Sequence, residues 1–262
     1  MAPNLSLRHR IATSGLAGPV GAARSARNRL RALKNPELGL LLAEDDMIDT
    51  VLNKLVKPDF HCLDIGGHVG SVTYKLSRLT PQGHVTVIEA SATKAAMLRK
   101  RFPDVTLHEV AVSDTAGEVS FFENIDAPGF SSLTNRQGRG AVNEVRVKAA
   151  RLDDLFADAH FDFIKIDVEG HEFAALSAAT GLIARCKPTI LFEAGAHGDD
   201  DIDPETYTRL FKLFTDTLNY DVRAVFDVVY DRPPIDAATF LSYRTYPFLA
   251  FNYVASPRTA RP

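Results

Sequence analysis

The chain has 262 residues, of which 45% are hydrophobic, with two cysteines and a formal net charge of −3. That length suits one large α/β domain or two small ones, and the apolar content suffices for a packed core. No apolar run approaches the roughly 18 residues a membrane span needs, so no transmembrane segment is expected, and the acidic balance argues against a broad nucleic-acid-binding surface.

Charge is uneven along the chain. From Met1 to Pro36 there is no acid, but Arg8, Arg10, Arg24, Arg27, Arg29, Arg31 and Lys34 all lie there. Gly15, Gly18, Pro19 and Gly21 argue against one stable helix in the first half, while Ala22 to Leu33 can form a short basic helix. The segment lacks the apolar core of a secretory signal. It reads as a flexible basic arm over residues 1–36, with contact to an anionic surface or partner, or organelle targeting, as the other readings. Residues 37–262 then form the domain, expected in the cytoplasm. Cys62 and Cys186 both lie near apolar strands and read as buried thiols rather than a disulfide or metal site.

Past the arm, helices and strands alternate. Leu38 to Leu55 has helical apolar spacing. Strand one is Phe60 to Leu63, followed by a helix through Val72, Leu76 and Leu79. Strand two is His84 to Ile88, and a helix from Thr93 to Phe102 stops at Pro103. Strand three is Val105 to Val112. Gly117 to Glu123 and Val142 to Leu152 alternate as a strand pair around a Gly-, Asn- and Ser-rich loop, Asn124 to Gly140. Strand four is Phe161 to Asp167, with a helix over about Glu169 to Ala184. Strand five is Thr189 to Glu193. A helix after Asp203-Pro204 presents Tyr207, Leu210, Phe211, Phe214 and Leu218 to the core, and the last strands are Asp221 to Phe226 and Phe248 to Val254. This repeated order predicts an α/β, Rossmann-like, mostly parallel doubly wound sheet.

Two strand ends carry chemistry. Strand one runs into Asp64-Ile65-Gly66-Gly67-His68-Val69-Gly70, and strand two ends in Glu89. Gly66, Gly67 and Gly70 allow a sharp turn and close approach to a ligand. The following helix points free N–H groups at an anion. Asp64 can accept from an amino group and Glu89 from both hydroxyls of a ribose, each charge-assisted bond contributing about 1.5–3 kcal/mol. The combination resembles the way S-adenosyl-L-methionine-dependent methyltransferases hold their cofactor, and a glycine turn in an ordinary α/β protein is the plainer reading. A nicotinamide oxidoreductase would show G-x-G-x-x-G, but Asp64-Ile65 replaces the first of those glycines.

Strand four ends in Lys165-Ile166-Asp167-Val168-Glu169-Gly170-His171-Glu172. A central parallel strand is covered on both faces, so Lys165 is expected to be buried and to need a counter-charge. Asp64, Asp167 and Glu193 are the expected partners. Lys165 either neutralises these acids or helps orient or deprotonate an acceptor hydroxyl. Asp167 and Glu193 are the leading candidates for acceptor contact, ahead of His171, with His197 weaker still. The acids Asp167, Glu169, Glu172 and Glu193 could take a hard divalent metal, although Glu169 and Glu172 also suit a helix start, and no metal is assigned. Asp199-Asp200-Asp201 reads as a solvated loop. The loop Asn124 to Gly140 is the expected lid.

In motif order the chain resembles the FkbM-type class I methyltransferases over about Phe60 to Glu193. The resemblance is carried by Asp64-Ile65-Gly66, Glu89, Ser131-Ser132-Leu133, Leu152-Asp153-Asp154-Leu155 and the strand-four motif. It implies a class I methyltransferase fold with an antiparallel last strand. It also implies methyl transfer to a hydroxyl on a sugar, lipid or secondary metabolite. With it go cofactor contacts at His68, Ala90, Ser113 and Asp114 beside those named above. Gly67-His68 stands where the family usually has Ala-Asn, and Ala90 where a proline usually follows the acid. A base methyltransferase would need N/D-P-P-aromatic after strand four, where Asp167-Val168-Glu169-Gly170 stands. A non-catalytic cofactor-binding protein of the same fold is the remaining alternative.

Overall fold

The computed structural model describes residues 17–125, 129, 131–134, 141–196, 203 and 205–258. Helix α1, Ala17–Lys34, starts earlier than its glycines predict. Pro19 falls in the first turn, where N–H groups have no intrahelical partner, so its missing donor costs nothing there. Helix α2, Gly39–Leu55, buries Met47, Val51 and Leu52. Its Glu44 accepts from the backbone N–H of Phe251 and Asn252, both at 2.8 Å, and so fixes the entry to the last strand.

The central layer is built from β1 (His61–Ile65), β2 (His84–Ile88) and β3 (Thr106–His108), with α3 (Ser71–Leu79) and α4 (Ala92–Arg101) between them. A short β4 (Ala111–Val112) and a long hairpin, β5 (Gly117–Asn124) and β6 (Val142–Ala150), come next. After α5 (Leu152–Leu155) come β7 (Phe163–Ile166), α6 (Glu172–Ser177), α7 (Thr180–Cys186) and β8 (Thr189–Glu193). The chain continues through α8 (Thr206–Lys212), β9 (Tyr220–Ala224), α9 (Val225–Val229), α10 (Ala237–Tyr243) and β10 (Asn252–Pro257).

Seven strands form one sheet in the order β3-β2-β1-β7-β8-β10-β9, and β10 runs antiparallel to both neighbours. This is the class I methyltransferase arrangement the sequence predicts, with the fourth βα strand between the first and fifth. β1, β7 and β8 are largely buried, as parallel strands covered on both faces must be, and their buried residues are apolar apart from Asp64 and Lys165. Cys62 is a buried free thiol and Cys186 a half-buried one.

Other expectations change too, and the last strand starts at Asn252 rather than Phe248. Strand three is two pieces, because the chain leaves the large sheet after His108 and Ala111–Val112 pairs instead with β6 in a separate three-stranded sheet. The single helix expected from Glu169 is two. Asp153 explains the break: its carboxylate accepts from Gly181 N at 3.1 Å and Leu182 N at 2.7 Å, capping α7, while its own N–H donates to Ala178 O. Finally, the expected strand through Phe226 ends at Ala224. There Asp227 accepts from Ala224 N at 3.1 Å and starts a helix. His197 and Asp199-Asp200-Asp201 lie outside the described residues, as do 126–128, 130 and 135–140 of the expected lid.

Candidate active site

The ends of β1, β2 and β7 open on one pocket. Gly66, Gly67, His68, Glu89, Ala90, Lys165, Asp167, Glu169 and His171 line it, with Val110, Ala111, Val112 and Phe121 as an apolar wall. Described parts of the hairpin loop, Gly129, Ser131 and Leu133, close one side.

The turn after β1 is shaped by packing. Gly66 has φ +79°, and a Cβ there would lie 2.0 Å from Asp167 O. A Cβ on Gly67 would meet Val87 at 2.5 Å, and one on Gly70 would meet Phe102 at 2.3 Å. The glycines therefore let the turn close onto β2, β7 and α4, a stronger reason than the ligand approach expected of them. Gly66 and Gly67 both donate to Ile88 O, at 2.9 and 3.0 Å. His68 takes a positive φ of 49°, and its backbone N–H donates to Glu89 Oε2 at 2.8 Å. Ser91 N donates to Glu89 Oε1 at 2.9 Å. Glu89 is thus gripped by the backbone at both oxygens and still faces the pocket. Burial raises its pKa, opposed by Lys94 and these N–H donors.

Lys165 is buried between carboxylates. Its Nζ lies 3.5 Å from Asp64 Oδ1 and 3.5 Å from Asp167 Oδ2, and donates to Gly66 O at 3.1 Å. Parallel pairing makes the first contact inevitable, since Asp64 and Lys165 are register partners across β1 and β7. Burial disfavours the ammonium, but Asp167, Asp64 and Glu193 outweigh it and raise its pKa. Asp64 is fully buried and accepts from Thr73 Oγ1 at 2.6 Å. Its carboxylate lies beneath the pocket floor, facing Lys165 and Thr73. Asp64 is expected to reach a cofactor amino group directly or through water, and it is not among the residues that line the pocket.

Asp167 and Glu193 end adjacent strands, one residue past the Ile166 and Phe192 pair. Together with Glu169 they offer carboxylate atoms within 4.8 Å of one another, a group that could hold a hard cation. Burial, together with Asp167, Glu169 and Glu172, raises the Glu193 pKa well above the ordinary carboxylate value. His171 lines the same pocket, with Nε2 3.2 Å from Ser113 Oγ. Burial lowers its pKa, opposed by Asp114. Ser113 is buried and Asp114 exposed. Both lie just past the lining residues of β4.

Sequence reading missed Lys94. It lines the pocket, and burial lowers its pKa against the pull of Glu89, Glu123, Glu169 and Asp167. Its Nζ donates to Ser131 Oγ at 3.4 Å. The available signal was a lysine in the first turn of the helix that follows Glu89.

Glu172 holds the loop that carries Asp167 and Glu169. It is 1% exposed, and its Oε1 accepts from Val168 N at 3.0 Å and Gly170 N at 3.2 Å. Its Oε2 has no hydrogen-bond partner among the described residues. Burial pushes the carboxyl up to about 7 from 4.5, with Asp167 adding to the rise. The folded chain binds this proton more tightly than the unfolded one. The group's stabilisation is therefore complete below about pH 4.5 and is lost as pH rises through about 7, a swing of roughly 3 kcal/mol. Glu172→Gln should remove that slope. In thermal melts it should gain on the wild type at about pH 8 and match it near pH 5. Identical pH profiles would show that Glu172 ionises freely in the fold.

The sequence profile of the Methyltransferase FkbM domain matches residues 64–224. The chain belongs to the FkbM methyltransferase family. The match starts at Asp64 and runs through the Lys165 to Glu172 motif and Glu193, so all the residues lining the pocket lie within it. The 2-O-methyltransferase NoeI of Sinorhizobium fredii (strain NBRC 101917 / NGR234) is 30% identical over 141 residues, which are 47% of this chain and 58% of that relative. Among solved structures, the FkbM methyltransferase from Methylobacillus flagellatus KT aligns with a TM-score of 0.49 at 16% identity, over 76% of this chain and 44% of that one. The O-methyltransferase from Bacillus cereus, solved with SAH, aligns with a TM-score of 0.47 at 14% identity, over 90% and 91% of the two chains.

Proposed function

We propose that this FkbM methyltransferase moves the methyl group of S-adenosyl-L-methionine to a hydroxyl oxygen of a sugar, lipid or other small-molecule acceptor. In this reading residues 37–262 carry the activity and 1–36 form a basic arm. The observation that carries it is the Lys165, Asp167 and Glu193 group standing at the edge of the pocket that Glu89 enters.

The pocket suits the cofactor. A carboxylate has about four acceptor sites, so Glu89 can hold its two backbone N–H donors and still accept from ribose hydroxyls. The wall of Val110, Ala111, Val112 and Phe121 offers an apolar surface to an adenine ring. When bound, S-adenosyl-L-methionine supplies an electrophilic methyl group on a sulfonium. The carboxylates of Asp167 and Glu169 on the rim favour that positive charge. Asp167 would accept the hydrogen of the acceptor hydroxyl and take up its proton when the hydroxyl oxygen gains the methyl, the sulfonium S–CH3 bond breaking to leave a neutral thioether. Lys165 keeps Asp167 in place, and Glu193 shares the hydrogen-bonded edge. Positioning of this kind can lower a barrier by roughly 7–11 kcal/mol. With Lys165 as counter-charge, transfer should proceed in the presence of a chelator.

Glu89→Ala tests the cofactor assignment. Losing two charge-assisted bonds is expected to weaken S-adenosylhomocysteine binding about a hundredfold or more in calorimetry. Equal affinity in both proteins removes Glu89 from the ribose site. Tight binding of NAD in its place overturns the assignment.

A further inference from the structure

Helix α1 is amphipathic in the inverse sense. A helix that covers a core turns its apolar stripe inward. Here Ala23, Ala26, Leu30 and Leu33, at spacings of three, four and three residues, are all exposed. Leu30 is 65% and Leu33 81% exposed. Among its described side chains the inward ones are Asn28 and Ala32, both half-buried, and Asn28 Nδ2 donates to Leu42 O of α2 at 3.1 Å. Arg27 and Lys34 sit three residues before and four after Leu30, so they neighbour it on the helix surface, and both are exposed, as is Arg31.

Charge separates along the chain in the same way. Residues 1–36 hold seven of its 30 basic side chains and none of its 33 acids, so the remainder carries an excess of ten acids. An anionic surface therefore attracts the arm and repels the rest, which orients the chain arm-first.

We propose that α1 docks on an anionic lipid bilayer, with Leu30 and Leu33 entering the headgroup boundary and Arg27, Arg31 and Lys34 meeting lipid phosphates. Shallow apolar insertion combined with basic side chains is what holds interfacial helices on such lipids. A nucleic-acid backbone would use the basic residues and leave the leucines idle, so the exposed stripe favours lipid. The docking stands independently of the cofactor site.

The test is flotation of the full chain with vesicles of phosphatidylglycerol and phosphatidylcholine in equal parts, against vesicles of phosphatidylcholine alone. Binding is expected to be at least about tenfold stronger to the anionic vesicles and to fall steeply between about 0.05 and 0.5 M salt. The double variant Leu30→Glu, Leu33→Glu should lose about tenfold or more, as should Arg27→Gln, Arg31→Gln, Lys34→Gln. S-adenosylhomocysteine affinity serves as the folding control and should be the same in every variant. Several results would overturn the proposal. These are no binding to anionic vesicles, equal binding to both compositions, or variants that float like the parent. So would duplex DNA binding that ignores the leucine changes. Self-association in light scattering that depends on Leu30 and Leu33, without vesicle binding, would assign the stripe to a second copy.

Discussion

Lys165→Met should lower the stability of the chain by about 3–5 kcal/mol, the usual cost of removing one member of a buried ion pair. Lys165 is 8% exposed and stands between Asp64 and Asp167, each 3.5 Å away. Without the ammonium, Asp64 is left fully buried with Thr73 Oγ1 as its remaining close partner. Methionine fills a similar volume, so the loss reports charge rather than a cavity. Denaturant unfolding near neutral pH measures it. The double variant Asp64→Asn, Lys165→Met should recover part of the loss, because it removes the stranded charge as well. A single-variant loss under about 1 kcal/mol would mean that the Lys165 charge is not what keeps the strand ends together.

Asp167→Asn is expected to fold, to keep S-adenosylhomocysteine affinity within a few fold, and to lose about 10²–10⁴-fold in kcat. The amide preserves shape but accepts a proton far less readily. Asp167 is also the most exposed of the Lys165 partners, its side chain 38% accessible, as a group meeting an acceptor must be. Raised pH should restore part of the rate, since a hydroxyl that ionises in solution no longer needs a base. Normal turnover by Asp167→Asn on the true acceptor would remove the end of β7 from the reaction.

Much of this site was legible from sequence because parallel strands place their ends side by side. Once Leu63 and Ile164 are read as central strand residues, Asp64, Lys165 and Glu193 must converge. Their registers follow from hydrophobic runs alone. What stayed hidden depended on side chains reaching across elements. Asp153 splits a helix from 28 residues away, through a bond to Gly181 N, and no local pattern in the helix announces it. Lys94 reads as an ordinary solvated helix lysine until α4 is laid against the pocket. The role of the glycines shifted for a related reason. Their φ values are local, but the atoms a Cβ would strike belong to β2, β7 and the end of α4.

The pairing of Asp64 with Lys165 also bears on how the chain finds its fold. The two residues are neighbours across a ladder whose strands are about a hundred positions apart in sequence, a contact that closes late because the loop between is long. Shifting β7 by one residue would turn Lys165 to the opposite face and leave both charges buried without each other. The apolar residues on either side, Leu63, Ile65, Ile164 and Ile166, are similar enough to tolerate such a slip. The ion pair is the feature that makes the slipped sheet costly, so it ties the alignment of β1 on β7 to charge as well as to shape.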